Sequence, residues 1–221
     1  MTASAYTAQV PAEPRALLLA VARDPLAPET LALAAGIGIT WGWRLGPVRG
    51  GVLGLTAAAS SALFAQYFPG ASGLLASTHS PSAPALDDPR SDEFADLLEL
   101  LLAHRQDDSA QTEWIARAVA AACLGDNHLW EDLALPARAS LSALLGAYFP
   151  ALVMQNTHNL RWKRFFYRQL CERAEVSLCK APSCGVCSDY AACFGGGEEL
   201  APAPALRVNP TESGVTNGGC R

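Results

Sequence analysis

Apolar positions recur with helical spacing through most of this chain, and no stretch alternates polar and apolar residues as a strand does. Phe94, Leu97, Leu98, Leu101 and Leu102 repeat at i, i+3, i+4, i+7 and i+8. They predict one apolar face on a helix running through Glu93 to Arg105, with Ser91 as its cap. Gln111 to Leu124 predicts a second helix, with Trp114, Ile115, Ala118 and Ala122 on one side. Leu141, Leu144, Leu145, Tyr148 and Phe149 mark a third, and Pro136 stands where its first helical residue is expected. Pro150 punctuates the chain before Ala151 to Asn156. A last long helix from about Asn159 to Arg173 sets Trp162, Phe165, Phe166 and Leu170 on one face, with Arg161, Arg164, Arg168 and Cys171 on the other. Upstream, Leu17 to Arg23 and Glu29 to Ala35 predict short helices. Gly36 to Gly54 predicts a glycine-rich loop. Leu53 to Phe68 predicts a buried helix closed by Pro69-Gly70.

The expected fold class is therefore all-α, a small helical bundle with a four-cysteine metal-binding loop at its C-terminal end. Residues 1–80 read as a variable, alanine-rich helical N-terminal region. Residues 81–90, with Pro81, Pro84 and Pro89, read as a linker. Residues 91–196 read as the helical domain, with its metal-binding loop at 179–193. The Gly/Pro-rich residues 197–221 predict a disordered tail. The 221 residues suffice for one domain with a sizeable core, or one domain and an appendage.

Charge and composition narrow the function classes. The net charge of −5 argues against a general nucleic-acid binder. The stretch free of Asp, Glu, Lys and Arg from Gly50 to Leu86 is interrupted by Gly, Ser, Gln, His and Pro. It never offers about 18 consecutive apolar residues, so no membrane span is expected. The run Ala16 to Ala22 is short, lacks a basic n-region and follows Glu13 and Pro14, so no targeting segment is expected. Cysteines concentrated in one short stretch of an intermediate-sized chain suit a reducing compartment, and the expected location is the cytoplasm. No phosphate loop, metalloprotease motif or Ser-His-Asp pattern occurs, so turnover catalysis is not expected.

The chemistry is concentrated at Cys179, Cys184, Cys187 and Cys193, spaced C-x4-C-x2-C-x5-C within fifteen residues. Three chemistries use four close thiols. A disulfide framework suits short secreted chains. Structural zinc usually takes two C-x2-C pairs separated by roughly 12–20 residues, and this chain has one such pair. An iron–sulfur cluster accepts unequal spacers, and the first three cysteines have the C-x4-C-x2-C spacing of plant-type ferredoxins. The spacing favours a cluster and leaves zinc open.

Six of the sixteen Lys and Arg residues fall between 161 and 180. Each alone suits a solvated helix face. Together they offer a positive field that offsets thiolate charge or draws in an oxyanion, with Arg164 and Arg168 as the anion-guiding pair. His128, His158 and Cys171 are candidate accessory ligands, although a lone histidine usually serves structure. Cys123 reads as a small buried hydrophobe.

Three strings taken together resemble the NifQ family of nitrogen-fixation proteins. They are His128-Leu-Trp-Glu-Asp-Leu-Ala-Leu135, Arg161-Trp-Lys-Arg-Phe-Phe-Tyr-Arg-Gln-Leu-Cys171, and Cys179-Lys-Ala-Pro-Ser-Cys184-x-x-Cys187-x-Asp-Tyr-x-x-Cys193-Phe-Gly195. The resemblance covers roughly Trp114 to Gly195. Where that family commonly has glycine before the last leucine of the first string, this chain has Ala134. The resemblance implies an iron–sulfur cluster that takes up molybdenum on Cys179, Cys184, Cys187 and Cys193. It implies delivery of molybdenum for the iron–molybdenum cofactor of nitrogenase, with the nitrogenase iron protein and the NifEN scaffold as partners. An iron–sulfur electron carrier and a zinc-stabilised interaction module remain the alternatives.

Overall fold

The computed structural model describes residues 14–42, 52–71 and 90–173, all within one compact unit that spans Met1–Lys180. Among the described residues the regular structure is entirely helical. The helices are α1 (Pro14–Ala20), α2 (Pro28–Gly42), α3 (Ala57–Tyr67), α4 (Arg90–Ala103), α5 (Ala110–Cys123), α6 (Leu129–Asp132), α7 (Arg138–Tyr148), α8 (Pro150–Gln155) and α9 (Trp162–Arg173). None of them is long and apolar enough to cross a membrane. The 81–90 segment, except for its last residue, lies outside the described residues, as do the 179–193 loop and the 197–221 tail.

Helix α5 is the axis of the bundle. It starts cleanly because the Ser109 hydroxyl accepts from Thr112 N–H at 3.2 Å, satisfying a donor that the first turn leaves open. Asp107 supports this cap by accepting from Ser109 N–H and the Thr112 hydroxyl. These hydrogen bonds, the Ser109 ones first, hold the Asp107 carboxyl below its usual range. The sequence pattern predicts one buried side on this helix. Instead Trp114, Ile115, Ala116 and every residue from Ala118 to Cys123 are buried. Alanines let neighbours approach from several directions, and α2, α4, α6 and α3 all pack on α5.

That close approach also explains why the predicted loop from Gly36 begins as helix. A Cβ added at Gly36 would stand 2.8 Å from the Ala118 Cα, so glycine here lets two helix backbones meet. Gly36 to Gly42 therefore continue α2. At the other end of α2, Tyr148 O–H donates to Glu29 Oε1 at 3.3 Å while Gln111 Nε2 donates to the Tyr148 oxygen at 2.6 Å. The helices upstream of residue 43 are thus joined to α5 and α7 by both apolar and polar contacts. The helix predicted from Leu53 starts later, at Ala57. Leu53 has φ 54° inside a short turn, and the Thr56 hydroxyl caps α3 by accepting from Ala59 N–H.

Four further details differ from expectation. Ser91 lies inside α4, which begins at Arg90, and its buried hydroxyl has no hydrogen-bond partner among the described residues. The most deeply buried positions of α4 are Phe94, Leu97, Leu100 and Leu101, a face rotated from the predicted one because both α5 and α9 pack on it. Ala137, extended at φ −161°, precedes the first residue of α7, so Pro136 sits before the helix. Helix α9 starts at Trp162, because Asn159 is left-handed at φ 50° and ends the preceding turn.

Candidate functional site

Helix α9 leads toward the four cysteines, which themselves lie outside the described residues. Its inner face is aromatic, as the periodicity predicts. Trp162, Phe165 and Phe166 are buried with ring centroids 5.9 to 6.0 Å apart, and Tyr167 and Leu170 extend the face. Burying each large side chain contributes about 1.5–3 kcal/mol, which fixes the helix on the bundle. Tyr167 O–H donates to Glu93 on α4, and Trp162 Nε1 donates to the Ser142 hydroxyl on α7 at 3.1 Å. The orientation of α9 is therefore set from two sides.

The outer face carries the predicted polar set. Arg164, Arg168 and Cys171 follow at i, i+4 and i+7, so they share one side of the helix. Arg164 and Cys171 are half-buried and Arg168 is exposed. Arg168 Nε donates to Glu172 Oε1 at 2.8 Å, so one of the two predicted anion-guiding charges already faces a carboxylate. Both partners are about half exposed, and such a pair is worth only a few tenths of a kcal/mol.

His128 and His158 stand on different elements. His128 precedes α6, and its backbone N–H donates to Glu131 Oε2 at 2.9 Å. His158 is exposed in the segment joining α8 to α9. That segment is held firmly. The Asn156 side chain accepts from Leu160 N–H at 2.8 Å and donates to Leu160 C=O at 2.9 Å. Arg138 Nη2 reaches Asn159 O, Asn159 Oδ1 and Leu160 O at 2.8 to 3.0 Å. Among the described residues no group of three or more His, Cys, Asp or Glu side chains is placed to hold a metal ion.

Sequence reading passed over Lys163. Its Nζ donates to Asp132 Oδ2 at 2.6 Å and to Gly125 C=O at 2.7 Å. Asn127 Nδ2 donates to the other Asp132 oxygen at 3.0 Å. A Cβ on Gly125 would fall 2.6 Å from Asp132 Oδ2, so this turn needs glycine for the carboxylate to fit. The missed signal was register. Lys163 precedes Phe166, Tyr167 and Leu170 by three, four and seven positions, which places it on the inner face, where a cation requires a partner.

Cys123 lies nearby, at the end of α5, buried as expected. Burial pushes its thiol up to about 12, with Lys163 opposing the shift and Asp132 and Glu93 adding to it. At neutral pH it is a thiol, whereas metal ligation requires thiolate.

Helix α6 ends in a complete left-handed cap. Ala134 N–H donates to Glu131 C=O at 2.9 Å and Leu135 N–H to Trp130 C=O at 2.8 Å, with Ala134 at φ 55°. This is the position that glycine normally fills.

The NifQ family model matches residues 46–195, beginning well upstream of Trp114. The protein NifQ of Azotobacter vinelandii is 48% identical over 106 residues, 48% of this chain and 54% of that protein. The NifQ homolog of Sinorhizobium fredii is 44% identical over 116 residues, 52% of this chain and 50% of that protein. The protein NifQ of Rhodobacter capsulatus is 39% identical over 153 residues, 68% of this chain and 79% of that protein. The chain thus spans about half the length of the first two relatives and most of the third. No solved structure matches it. With two thirds of its residues inside the family model, the chain belongs to the NifQ family of nitrogen-fixation proteins.

Proposed function

We propose that this chain carries molybdenum in an iron–sulfur cluster and donates it to the machinery that builds the iron–molybdenum cofactor of nitrogenase. The observation that carries this reading is the spacing of Cys179, Cys184, Cys187 and Cys193 in a member of the NifQ family. Four soft thiolates suit iron, and a cluster tolerates spacers of four, two and five residues better than a single zinc does. The cluster is cargo, so the role is binding and delivery, without turnover. Three cysteines hold iron, and the fourth cysteine or an imidazole from His128 or His158 takes the molybdenum corner, where a ligand must let go. Arg164, Arg168 and Cys171, on one side of α9, are the accessory groups nearest in sequence to the thiolates. The nitrogenase iron protein and the NifEN scaffold are the partners this role requires.

Elemental analysis and a visible spectrum test the reading, on protein purified without oxygen from cells supplied with molybdate. Brown protein holding several irons and substoichiometric molybdenum, both lost in Cys184→Ala, is the expected result. Iron with no molybdenum assigns the chain to electron transfer. One zinc and no colour assigns it to a zinc-stabilised interaction module. Histidine variants that keep full molybdenum and deliver it normally leave the molybdenum corner to cysteine.

A further inference from the structure

Large side chains hold α9 on the bundle without fixing its rotation. Trp162, Phe165, Phe166, Tyr167 and Leu170 are all buried. At about 100° per residue they cover roughly 200° of the helix circumference. A helix buried over so broad an arc can roll against its neighbours and still keep its rings inside. The hydrogen bonds of Trp162 and Tyr167 go to the side chains of Ser142 and Glu93, which can follow a small rotation. Lys163 is different. It lies within the buried arc, and its Nζ donates to Asp132 Oδ2 at 2.6 Å and to the backbone C=O of Gly125 at 2.7 Å.

Neither acceptor is free to follow. The other Asp132 oxygen takes Asn127 Nδ2 at 3.0 Å, and the carboxylate packs against Gly125, where a Cβ would stand 2.6 Å from it. Leu129 and Leu133, on either side of Asp132, are buried and anchor the turn. A buried ion pair contributes little net stability beside apolar groups of the same size, because desolvation offsets the attraction. Its best-attested use is to single out one register. On the opposite side of α9 stand Arg164, Arg168 and Cys171, and Arg173, its last residue, is six positions from Cys179. Rolling α9 would re-aim those side chains and the chain that continues to the thiolates.

We propose that Lys163 is a positioning residue. Clasped by Asp132 and Gly125, it fixes the rotation of α9, and with it the side that Arg164, Arg168 and Cys171 turn toward the molybdenum-bearing cluster. This role rests on the delivery reading above. Lys163 touches no cargo, since its ammonium is enclosed by the fold. Exchanging the whole pair for apolar side chains of like shape therefore spares folding and impairs loading.

The test replaces both charges at once, in the full chain purified without oxygen from cells supplied with molybdate. Asp132→Leu with Lys163→Met nearly matches both shapes and leaves no charge uncompensated. This double variant is expected to melt closer to the wild type than Asp132→Ala or Lys163→Met does. It is expected to keep its iron, to lose molybdenum per iron about tenfold, and to change the visible circular dichroism of the cluster. Gly36→Ala, which weakens the fold where α2 meets α5, is the control and keeps wild-type molybdenum and dichroism. Wild-type molybdenum and dichroism in the double variant overturn the positioning role. So does a double variant that fails to fold, which makes the pair structural, and so does a control that loses molybdenum equally. A wild-type chain without molybdenum overturns the delivery reading instead. Amide hydrogen exchange of the metal-free chains then judges the positioning. Helix α9 is expected to exchange about tenfold faster in the double variant, with α5 unchanged, and equal protection of α9 overturns the proposal.

Discussion

Lys163 Nζ lies 2.6 Å from Asp132 Oδ2, and this ion pair fastens α9 to the end of α6, 31 residues earlier. The two side chains retain only 19% and 7% of their exposure. The strings beginning at His128 and Arg161, both noted for their family resemblance, are therefore parts of one contact.

Breaking the pair from either side leaves a charge in a place with little water. Asp132→Ala should destabilise the protein by about 3 kcal/mol, and Lys163→Met by a similar amount. The double variant should cost clearly less than the sum, with a coupling of about 1–3 kcal/mol. Urea denaturation of the four proteins measures this. Strict additivity would show that the two groups contribute independently.

Ala134 occupies a left-handed position at φ 55° that costs a residue with a Cβ roughly 1–2 kcal/mol. Ala134→Gly should raise stability by about 1 kcal/mol, the relief being partly offset by greater freedom of glycine in the unfolded chain. The denaturation midpoint should rise with its slope unchanged. A lower midpoint would mean that the cap does not hold this conformation in solution.

Two glycines in helices should respond with opposite signs. Gly36→Ala drives a methyl into the Ala118 backbone and should destabilise by about 1–3 kcal/mol. Gly146→Ala meets nothing within 4 Å among the described residues and should stabilise by up to about 1 kcal/mol, the helix-propensity difference. Thermal melts of the isolated chain separate the two. Matching signs would contradict the different surroundings of these positions.

Stability should fall as the solution is made alkaline. Burial pushes Cys123 and Tyr67 each up to about 12 and Tyr148 higher still, with the Glu29 carboxylate adding to the tyrosine shifts. In the unfolded chain these groups lose protons from about pH 8.5 for the thiol and about 10 for the tyrosines. Between those values and the folded ones the native state binds more protons than the unfolded state, so stability decreases as pH rises. The contribution is fully present below about pH 8. Cys123→Ala should flatten the first part of the decline, between about pH 8.5 and 10, in a pH series of denaturation midpoints. An unchanged slope there would remove Cys123 from the account.

The sequence reveals what local periodicity and spacing encode. The aromatic face of α9 and the stretch of α7 from Leu141 were legible because large apolar residues recur at helical intervals. The four-cysteine motif stands out in the sequence because its spacing is short-range, but those cysteines lie outside the described residues, so the fold says nothing about what they hold. Alanine hid the all-round burial of α5, since it is equally at home inside and outside. Glycine misled at Gly36 because its usual role in turns masked a packing role that only Ala118, 82 positions later, defines. Lys163 was grouped with the surface cations because its partner is remote in sequence, and the same remoteness hid the Glu29–Tyr148 contact.

Residues 156–160 are bound back onto the protein by Asn156 and Arg138, with His158 between their anchor points. Fixing a free backbone residue costs about 1–2 kcal/mol of entropy. Here that freedom is surrendered when the chain folds. A molecule arriving beside Met154 and His158 meets a surface whose backbone already has its final shape, so the encounter need not freeze it again.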